Sequence, residues 1–411
     1  MNSIFNQLSD SALKQRSFVF FLISRMLSST SFQMLSLAIG WQMYALTHDA
    51  FSLGFVGLAQ FLPMVLLTLV VGQVADRYNR RTIVFICQII EGLVAALLLV
   101  GNLTGEINRE HIYIAAAVLG TCRAFEGPSS SALLPQLVSR GDLQKAISWS
   151  TSAGQTAQIL GPVLGGILYS FGPILVYSTG TCALIISGIL SFLIKPMEVA
   201  IRKAEPVTRD SLLSGLVFVY RHPAILGTIS LDLFAVLLGG ATALLPIFAQ
   251  DVLLIGPWGL GLLRSAPAVG ALLMSFILAI FPLKKAIGPK LFGALTVFGL
   301  ATVMFGLSKS LFLSLVALIF IGASDVVSVV IRSSLVQLQT PDEMRGRVNA
   351  VNSLFIGTSN QLGEFESGTL AGFIVAVPAV IVGGIGTIVV AGLWMVMFPS
   401  LRRLKSLTDG D

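Results

Sequence analysis

The chain has 411 residues, of which 55% are hydrophobic and only 11% are charged, and its mean hydropathy is +0.88. A soluble domain carries about 25% charged residues, so this composition excludes an ordinary soluble globule and indicates a polytopic membrane protein. The formal net charge of +6 does not indicate nucleic-acid binding, because most of the basic residues lie at the ends of apolar segments.

Twelve apolar segments, each long enough to cross a bilayer as a helix, follow one another along the chain. A hydrocarbon core about 30 Å thick needs about 20 apolar residues at a rise of about 1.5 Å per residue. The segments lack the alternating pattern of an outer-membrane barrel, so we expect an all-α membrane protein with twelve transmembrane helices. The predicted spans are residues 17–46, 51–75, 82–104, 111–138, 143–170, 173–195, 223–250, 257–281, 289–308, 310–338, 343–376 and 378–401.

Lys and Arg are distributed unevenly between the predicted loops. Twenty lie in the termini, in the even-numbered loops or in the span ends that border those loops, two (Arg109 and Lys309) lie in odd-numbered loops, and four lie deeper inside spans. By the positive-inside rule, both termini are predicted to be cytoplasmic. Residues 1–16 are polar and run directly into the first span, so no cleavable signal peptide is predicted.

The longest polar stretch between spans divides the chain into two halves. We expect an N-terminal six-helix bundle at 1–195, a cytoplasmic linker at 196–222 and a C-terminal six-helix bundle at 223–411, the two bundles being pseudo-symmetric. The apolar spacing in 211–221 predicts a helix that lies on the membrane surface or, alternatively, forms the cytoplasmic end of the seventh span.

An internal repeat supports this division. Residues 135–147 and 336–348 share a pattern at a constant offset, in which Gln136 matches Gln337. Each copy falls between an even-numbered span and the next span, as duplication of a six-helix unit requires. Parallel repeats with a substrate site between them are one of the known transporter architectures, and chance similarity of two turns is the alternative.

The segment between the second and third spans reads GQVADRYNRR over residues 72–81. It resembles the loop signature of the major facilitator superfamily, G-x-x-x-D-R-x-G-R-R or K, with Asn79 in place of the second glycine. Asparagine tolerates left-handed backbone geometry, so we expect the turn to be retained. The resemblance implies the major facilitator fold and a conformational latch, which holds the outward-facing state by contacts near 342–347. The latch residues are Gly72, Asp76, Arg77, Arg80 and Arg81. A purely topogenic role for the arginines is the alternative.

The fourth span carries Arg123 near its middle and Glu126 one turn later on the same face. A charge at that depth costs several kcal/mol unless it is paired or faces water, so it indicates a functional site. The R-x-x-x-G pattern that ends at Gly127 resembles a motif linked to proton transfer in drug antiporters of the superfamily. We predict a titrating pair, with a static ion pair as the alternative. The other proton-coupling candidates are Asp232, Asp325 and Arg332. Many of these antiporters have an acid in span one, where this chain has Arg25.

The fifth span contains Gly161, Pro162, Gly165 and Gly166, which resemble the antiporter motif that ends G-P-x-x-G-G. The small residues allow close helix approach and the proline favours a bend, and within the superfamily the motif accompanies exporters. A packing role alone is the alternative. Substrate-binding candidates, chosen as polar or aromatic residues of spans, are Arg25, Phe32, Gln33, Phe125, Trp149, Phe234, Asn352, Phe355 and Gln361.

Taken as a whole, the chain resembles the enterobactin-exporter and drug:proton antiporter branch of the superfamily, on the motifs above and on residues 342–350. The resemblance implies a secondary active transporter of the bacterial cytoplasmic (inner) membrane. It would export a small amphipathic compound, siderophore or drug-like, by alternating access coupled to proton influx. Metabolite uptake and lysophospholipid flipping by the same fold are the alternatives, and a receptor or scaffold is a further one.

Several other classes of protein lack support in the sequence. No Gly-Lys dipeptide occurs, so a phosphate-binding G-x-x-x-x-G-K loop is excluded. The three histidines and three cysteines are scattered, so neither a metal site nor a disulfide framework is predicted. We therefore expect no enzyme activity, no cofactor, no metal and no nucleic-acid partner. The expected partners are a small-molecule substrate, protons and the lipid bilayer, and the expected state is a monomer.

Overall fold

The structure is a computed structural model that describes residues 13, 15–139, 141–196, 209–283 and 285–406. Within these ranges, the burial and contacts of some helical residues lie outside the described set, among them the predicted site residues Gly72, Asp76 and Gln361. The part of the chain that is described contains helices and connecting turns and no strand, so the all-α prediction is confirmed.

The helices follow the predicted apolar segments closely. In chain order they are α1 Arg16–Thr47, α2 Ala50–Arg77, α3 Arg80–Thr104, α4 Arg109–Leu133, α5 Leu143–Ser170, α6 Pro173–Leu193, α7 Arg209–Arg221, α8 Pro223–Leu238, α9 Gly256–Ile280, α10 Ile287–Leu307, α11 Leu311–Gln339, α12 Asp342–Ile374, α13 Ala376–Met397 and α14 Pro399–Arg402. Among the described residues, nine segments are both long and apolar enough to cross a membrane. Helices α4, α5 and α12 are long but more polar, so the count of twelve spans stays a prediction.

Local signals explain where several helices begin and end. Asn108 caps α4, because its side chain accepts a hydrogen bond from the His111 backbone N–H at 3.0 Å. Gly105 follows α3 in the left-handed conformation (φ 74°), which costs glycine little. Pro173 and Pro223 occupy the first positions of α6 and α8, where a backbone donor is not needed.

The seventh predicted span, 223–250, is not one continuous helix. Helix α8 ends at Leu238, and the chain continues through a 3₁₀ turn at Ala241–Leu244, a short helical turn and a π turn at Phe248–Val252. The adjacent glycines at 239 and 240 weaken the helix, and Pro246 lacks the backbone donor that a continuous helix requires. Helix α7 precedes α8 as a separate helix, and its Val219 is packed in a buried cluster with Ile225 of α8.

By its contacts, the chain divides into two compact units. The first unit comprises residues 1–39 and 62–206, and the second comprises 40–61 and 207–411. The boundary at 206 lies inside the predicted linker. Residues 40–61, the hairpin formed by the end of α1 and the start of α2, belong to the second unit although they are early in the sequence.

Each unit has its own core. In the first unit, α3 packs against α4 and α6, and a buried cluster that includes Phe18, Phe21 and Leu133 joins α1 to the end of α4. In the second unit, α10 packs against α11 and α13 around Phe292 and Leu335. Burial of such side chains, with close packing between helices, holds each unit together.

Candidate functional site

Arg123 of α4 is held by two carboxylates in the first unit. Its Nη1 atom lies 2.9 Å from Glu126 Oε2, one turn along the same helix. Its Nε atom lies 3.3 Å from Oε1 of Glu91, which comes from α3. Both acids are buried, with Glu91 0% and Glu126 4% exposed. The structure therefore forms the ion pair that the spacing of Arg123 and Glu126 allows, and it adds a second acid to which the sequence analysis gave no role.

The two acids differ in their hydrogen bonds. Glu126 Oε1 accepts from Ser28 Oγ at 2.9 Å and from Gln88 Nε2 at 2.8 Å. Neither carboxylate oxygen of Glu91 accepts a hydrogen bond from any described residue. Two side chains therefore hold one oxygen of Glu126 in place, whereas the contact that the described residues give Glu91 is its ion pair with Arg123.

A polar chain continues from this pair towards α1 and α6. Gln88 Oε1 accepts from Ser191 Oγ at 2.8 Å, and Ser24 Oγ lies 2.7 Å from Ser191 Oγ and 2.9 Å from Ser187 Oγ. These side chains satisfy one another's hydrogen-bonding groups in an apolar interior, where a polar group without a hydrogen-bond partner is costly. The network therefore fixes how α1, α3 and α6 meet.

Beside the ion pair lies an open cavity of about 410 Å³, lined by α1, α4 and α5 of the first unit. Its lining residues are Arg25, Ser29, Phe32, Gln33, Arg123, Thr151, Gly154, Gln155, Ala157 and Gln158. The Arg123 guanidinium lies over the Phe32 ring at 4.2 Å from the centroid, a cation–π contact. The cavity thus combines two cations, amides, hydroxyl groups and one aromatic ring.

The cavity brings together three of the predicted substrate-binding residues, Arg25, Phe32 and Gln33. Two others in the first unit lie elsewhere. Phe125 packs on the cluster formed by α3 and α4, and Trp149 is 39% exposed and is not part of the lining. The sequence analysis did not predict the lining residues that come from α5. Thr151, Gln155 and Gln158 recur at helical spacing, and this polar stripe in an otherwise apolar segment is the signal that could have identified it.

The glycines of the predicted antiporter motif lie where α5 approaches α1. A Cβ atom added at Gly161 would lie 2.6 Å from Gln33 Cβ, and one at Gly165 would lie 2.9 Å from Met34 Cα. No real Cβ atom tolerates such distances, so glycine is required at both positions. Pro162 and Gly166 are buried in the same helix. The close approach places Gln33 in the cavity wall.

The predicted latch segment, residues 72–81, comprises the end of α2, two connecting residues and the start of α3, and part of its geometry differs from the expectation. Asn79 is extended (φ −64°, ψ 117°) and not left-handed, and its side chain caps α3 by accepting from the Arg81 N–H at 3.0 Å. Asparagine therefore fits here as a helix cap, so the predicted reason for tolerating it was wrong. The surroundings of Gly72 and the side chain of Asp76 lie outside what the structure describes.

Two arginines of this loop bind the ends of other helices in the first unit. Arg80 Nη1 donates to Ala132 O at the end of α4 at 3.0 Å, and Arg81 Nη1 donates to Ile194 O after α6 at 2.9 Å. Cations are favourable at helix C-termini, where carbonyl groups lack partners. Arg80 and Arg81 thus have the carbonyl partners that the sequence analysis allowed for, whereas Arg77 donates to no helix end among the described residues.

In the second unit, a buried ion pair joins two helices. Arg332 Nη1 of α11 contacts Asp232 Oδ2 of α8, and the two residues are 2% and 4% exposed. Asp325 lies two turns before Arg332 and is partly buried, without a hydrogen bond to any described residue. The three predicted proton-coupling residues of this unit therefore separate into a bonded pair and a single acid.

The remaining substrate-binding candidates do not form one site in the second unit. Phe234 packs against Trp394 with ring centroids 5.3 Å apart, and Phe355 packs against the cluster around Val219. Asn352 is 9% exposed. The side chain of Gln361 lies outside the described residues.

The hairpin at 40–61 packs closely on α12, which the sequence analysis did not foresee. A Cβ atom added at Gly54 would lie 3.2 Å from Gly368 Cα, and the rings of Phe51 and Phe373 meet edge to face at 5.2 Å. The Tyr44 hydroxyl donates to Asp251 Oδ2. Paired glycines on two helices are a recognisable signal for close packing, but sequence alone does not show which glycines pair.

Apolar helices that bury paired charges beside a polar cavity are the structure of a polytopic membrane transporter. The chain belongs to the Major Facilitator Superfamily, which it matches over residues 21–364. The predicted resemblance is therefore confirmed, and with it a multi-pass, non-enzymatic transporter that moves small molecules.

Individual relatives agree with this assignment. The chain is 25% identical over 405 residues to the enterobactin exporter EntS of Escherichia coli O1:K1 / APEC, covering 93% of this chain and 92% of that protein. The Citrobacter koseri protein of the same name is 25% identical over 393 residues, with coverage of 93% and 92%.

Solved structures show the same fold at low identity. A bacterial homologue of the human lysosomal transporter Spinster, inward-facing and occupied, has a TM-score of 0.73 at 13% identity, covering 94% of this chain and 96% of that one. The nucleoside transporter NupG has a TM-score of 0.67 at 15% identity, with coverage of 92% and 99%. A bacterial homologue of the iron transporter ferroportin, inward-facing, has a TM-score of 0.69 at 17% identity, with coverage of 92% and 98%.

Proposed function

We propose that this protein exports a small amphipathic compound, siderophore or drug-like, across the bacterial cytoplasmic membrane by alternating access coupled to proton influx. The observation that carries the proposal is the similarity to enterobactin exporters, which extends over more than nine tenths of both chains. The protein acts as a monomer with both termini in the cytoplasm.

The first-unit cavity supports an aromatic, acceptor-rich substrate. Its volume of about 410 Å³ lies within the range of about 300–1,000 Å³ that small-molecule pockets occupy. Arginine, glutamine and hydroxyl side chains supply hydrogen-bond donors, and Phe32 supplies a ring for stacking. Such a wall fits catechol and drug-like groups better than a long acyl chain, which would require a mostly apolar lining.

Proton coupling is assigned to the charges buried beside this cavity. Arg123 joins Glu91 and Glu126, and the family motif in α4 supports a coupling role for Arg123 and Glu126. In the second unit, Asp232, Asp325 and Arg332 are the corresponding candidates. When a carboxylate that neutralises a buried arginine takes up a proton, it loses its charge and its ion pair with the arginine weakens. Protonation is thereby linked to the contacts between helices.

The loop at 72–81 is assigned the role of a conformational latch. Arg80 and Arg81 already bind the ends of α4 and α6, so the loop is anchored in the first unit. Asp76, together with Arg77, is proposed to make the contacts that hold the outward-facing state.

The glycines of α5 and Pro162 are proposed to allow the helix movement that alternating access needs.

The test uses inverted membrane vesicles that contain the full chain, energised so that their interior is acidic. An exporter accumulates labelled enterobactin or a fluorescent drug inside such vesicles, and a protonophore abolishes the accumulation. Vesicles with the variant Arg109→Gln serve as a control, because Arg109 is an exposed residue at the start of α4.

Three outcomes would contradict parts of the proposal. Accumulation only in right-side-out vesicles would indicate metabolite uptake. Movement of labelled lysophospholipid without any siderophore or drug transport would indicate a flippase. Export that persists after both the pH gradient and the membrane potential are removed would exclude proton coupling.

A further inference from the structure

We infer that the first-unit cavity binds the anionic group of an acidic aromatic substrate, and that the guanidinium of Arg25 is the residue that holds it. This inference rests on the proposed function, because it names the class of compound that the exporter carries. The observation that supports this inference is that the two arginines in the cavity wall, Arg25 and Arg123, have different neighbours.

Arg123 is already neutralised. Its guanidinium contacts Glu126 and Glu91, and it also donates to Ser28 O at 2.8 Å and lies over the Phe32 ring. Such a residue has few remaining donors, so it is poorly suited to be the first contact of an incoming anion. Arg123 therefore forms part of the cavity wall and takes part in the proposed proton coupling.

Arg25 has no such partners. No described carboxylate lies within ion-pair distance of its guanidinium, and its Nε atom is buried without a hydrogen-bond partner. The charged groups that act on it are Glu126 at longer range, which attracts it, and Arg123, which repels it. An arginine in a membrane span is costly without a partner, so the structure leaves a positive charge that a ligand could neutralise.

The rest of the cavity wall agrees with an anionic ligand. None of the described residues that line it is acidic, and Glu91 and Glu126 are not among the lining residues. Gln33, Gln155 and Gln158 supply amide donors around the same space. A planar guanidinium donates two parallel hydrogen bonds to a carboxylate or a catecholate, which gives both affinity and orientation.

The test compares two probes that differ in charge and little in shape. At neutral pH, 2,3-dihydroxybenzoate is an anion, whereas 2,3-dihydroxybenzamide is neutral. Binding of each to the purified full chain in detergent is measured by calorimetry. We expect the wild-type protein to bind the acid at least about tenfold more tightly, as pairing with a buried charge requires. R25Q should lose this preference, R25K should keep part of it, and the surface control R109Q should keep all of it.

A second measurement covers the case in which R25Q fails to fold. In the wild-type protein, phenylglyoxal modifies accessible arginines, and mass spectrometry of peptides locates the modified positions. The acid, but not the amide, should slow modification at Arg25 and leave Arg109 unaffected. Equal modification of Arg25 with either probe would overturn the inference.

The results separate this inference from the proposed function. Equal affinity for acid and amide, or an acid preference that survives in R25Q, would overturn the anion site even if siderophore export is observed. An acid preference that depends on Arg25, in a protein that exports none of the tested compounds, would support the anion site and contradict the proposed export.

Discussion

Arg123 is bound by two acids that receive different support from the protein. Ser28 and Gln88 donate hydrogen bonds to Glu126, which also forms an ion pair with Arg123, whereas among the described residues Glu91 has only its ion pair with Arg123. The i, i+3 spacing in α4 made the Arg123–Glu126 pair predictable. The contact with Glu91 was not predictable, because it depends on the rotation of α3 against α4.

A first prediction follows for proton coupling at this site. We expect Glu91 to take up and release the proton and to transmit the change through Arg123 to Glu126, because no described residue donates a hydrogen bond to the Glu91 carboxylate. The titratable and charged groups around it are Arg123, Glu126 and Cys122 of α4, Cys87 of its own helix and, further off, Arg25 of α1.

The measurement is the pH profile of transport in vesicles. Glu91→Gln should make transport nearly independent of pH, with folding preserved, because Arg123 keeps its bond to Glu126. Glu126→Gln should instead lower the thermal stability, since its amide N–H groups would face the Arg123 guanidinium, donor against donor, at a cost of about 1–3 kcal/mol. A wild-type pH profile in Glu91→Gln would show that the proton binds elsewhere.

A second prediction concerns the ion pair between α8 and α11. Asp232→Ala leaves Arg332 as an unpaired buried charge, which costs about 3–5 kcal/mol of unfolding free energy. Replacing both residues together, as Asp232→Asn with Arg332→Gln, should cost much less than the sum of the single changes. The check is thermal unfolding of all variants in detergent. Additive losses would mean that the two side chains do not stabilise each other.

At the scale of helices, the α1–α5 contact depends on two glycines. Gly161 and Gly165 bring the backbone of α5 against α1, and the same approach places Gln33 and Gln158 around the cavity. The sequence motif predicted close packing here but did not identify α1 as the partner. Identifying the partner helix required the distances.

The third prediction tests that contact. Gly161→Ala introduces a Cβ atom 2.6 Å from Gln33 Cβ, so we expect a loss of about 1–3 kcal/mol in stability from overpacking. Gly127→Ala is the matched control in α4, because a Cβ atom there meets nothing within 4 Å and alanine favours the helix. Unfolding temperatures in detergent provide the comparison. Equal temperatures for the two variants would indicate that α5 does not pack tightly on α1.

At the scale of the whole molecule, the orientation in the membrane follows from charge and not from contacts. The basic residues concentrate in alternate loops, and the contacts within each unit do not depend on which side faces the cytoplasm. Residues 40–61 belong by contact to the second unit, which no loop-charge argument indicates.

The fourth prediction therefore concerns topology. A fluorescent protein fused after Asp411 should fluoresce, because it stays in the cytoplasm, whereas alkaline phosphatase at the same place should remain inactive. A phosphatase fusion in the short loop at Lys309 should be active, because that odd-numbered loop is predicted to face outward. The opposite pattern at either position would reverse the predicted orientation.

By itself, the sequence determined the class of protein, the approximate bounds of most helices and the positions of the charges inside them. Apolar runs, caps, prolines and glycines act locally, so they can be interpreted along the chain. Only the tertiary structure decided that Arg123 contacts two acids, that Asp232 binds Arg332, and that α1 and α5 line a cavity in which no described carboxylate pairs with Arg25. Those results depend on how each helix is rotated against its neighbours, and close packing of side chains from distant segments sets that rotation.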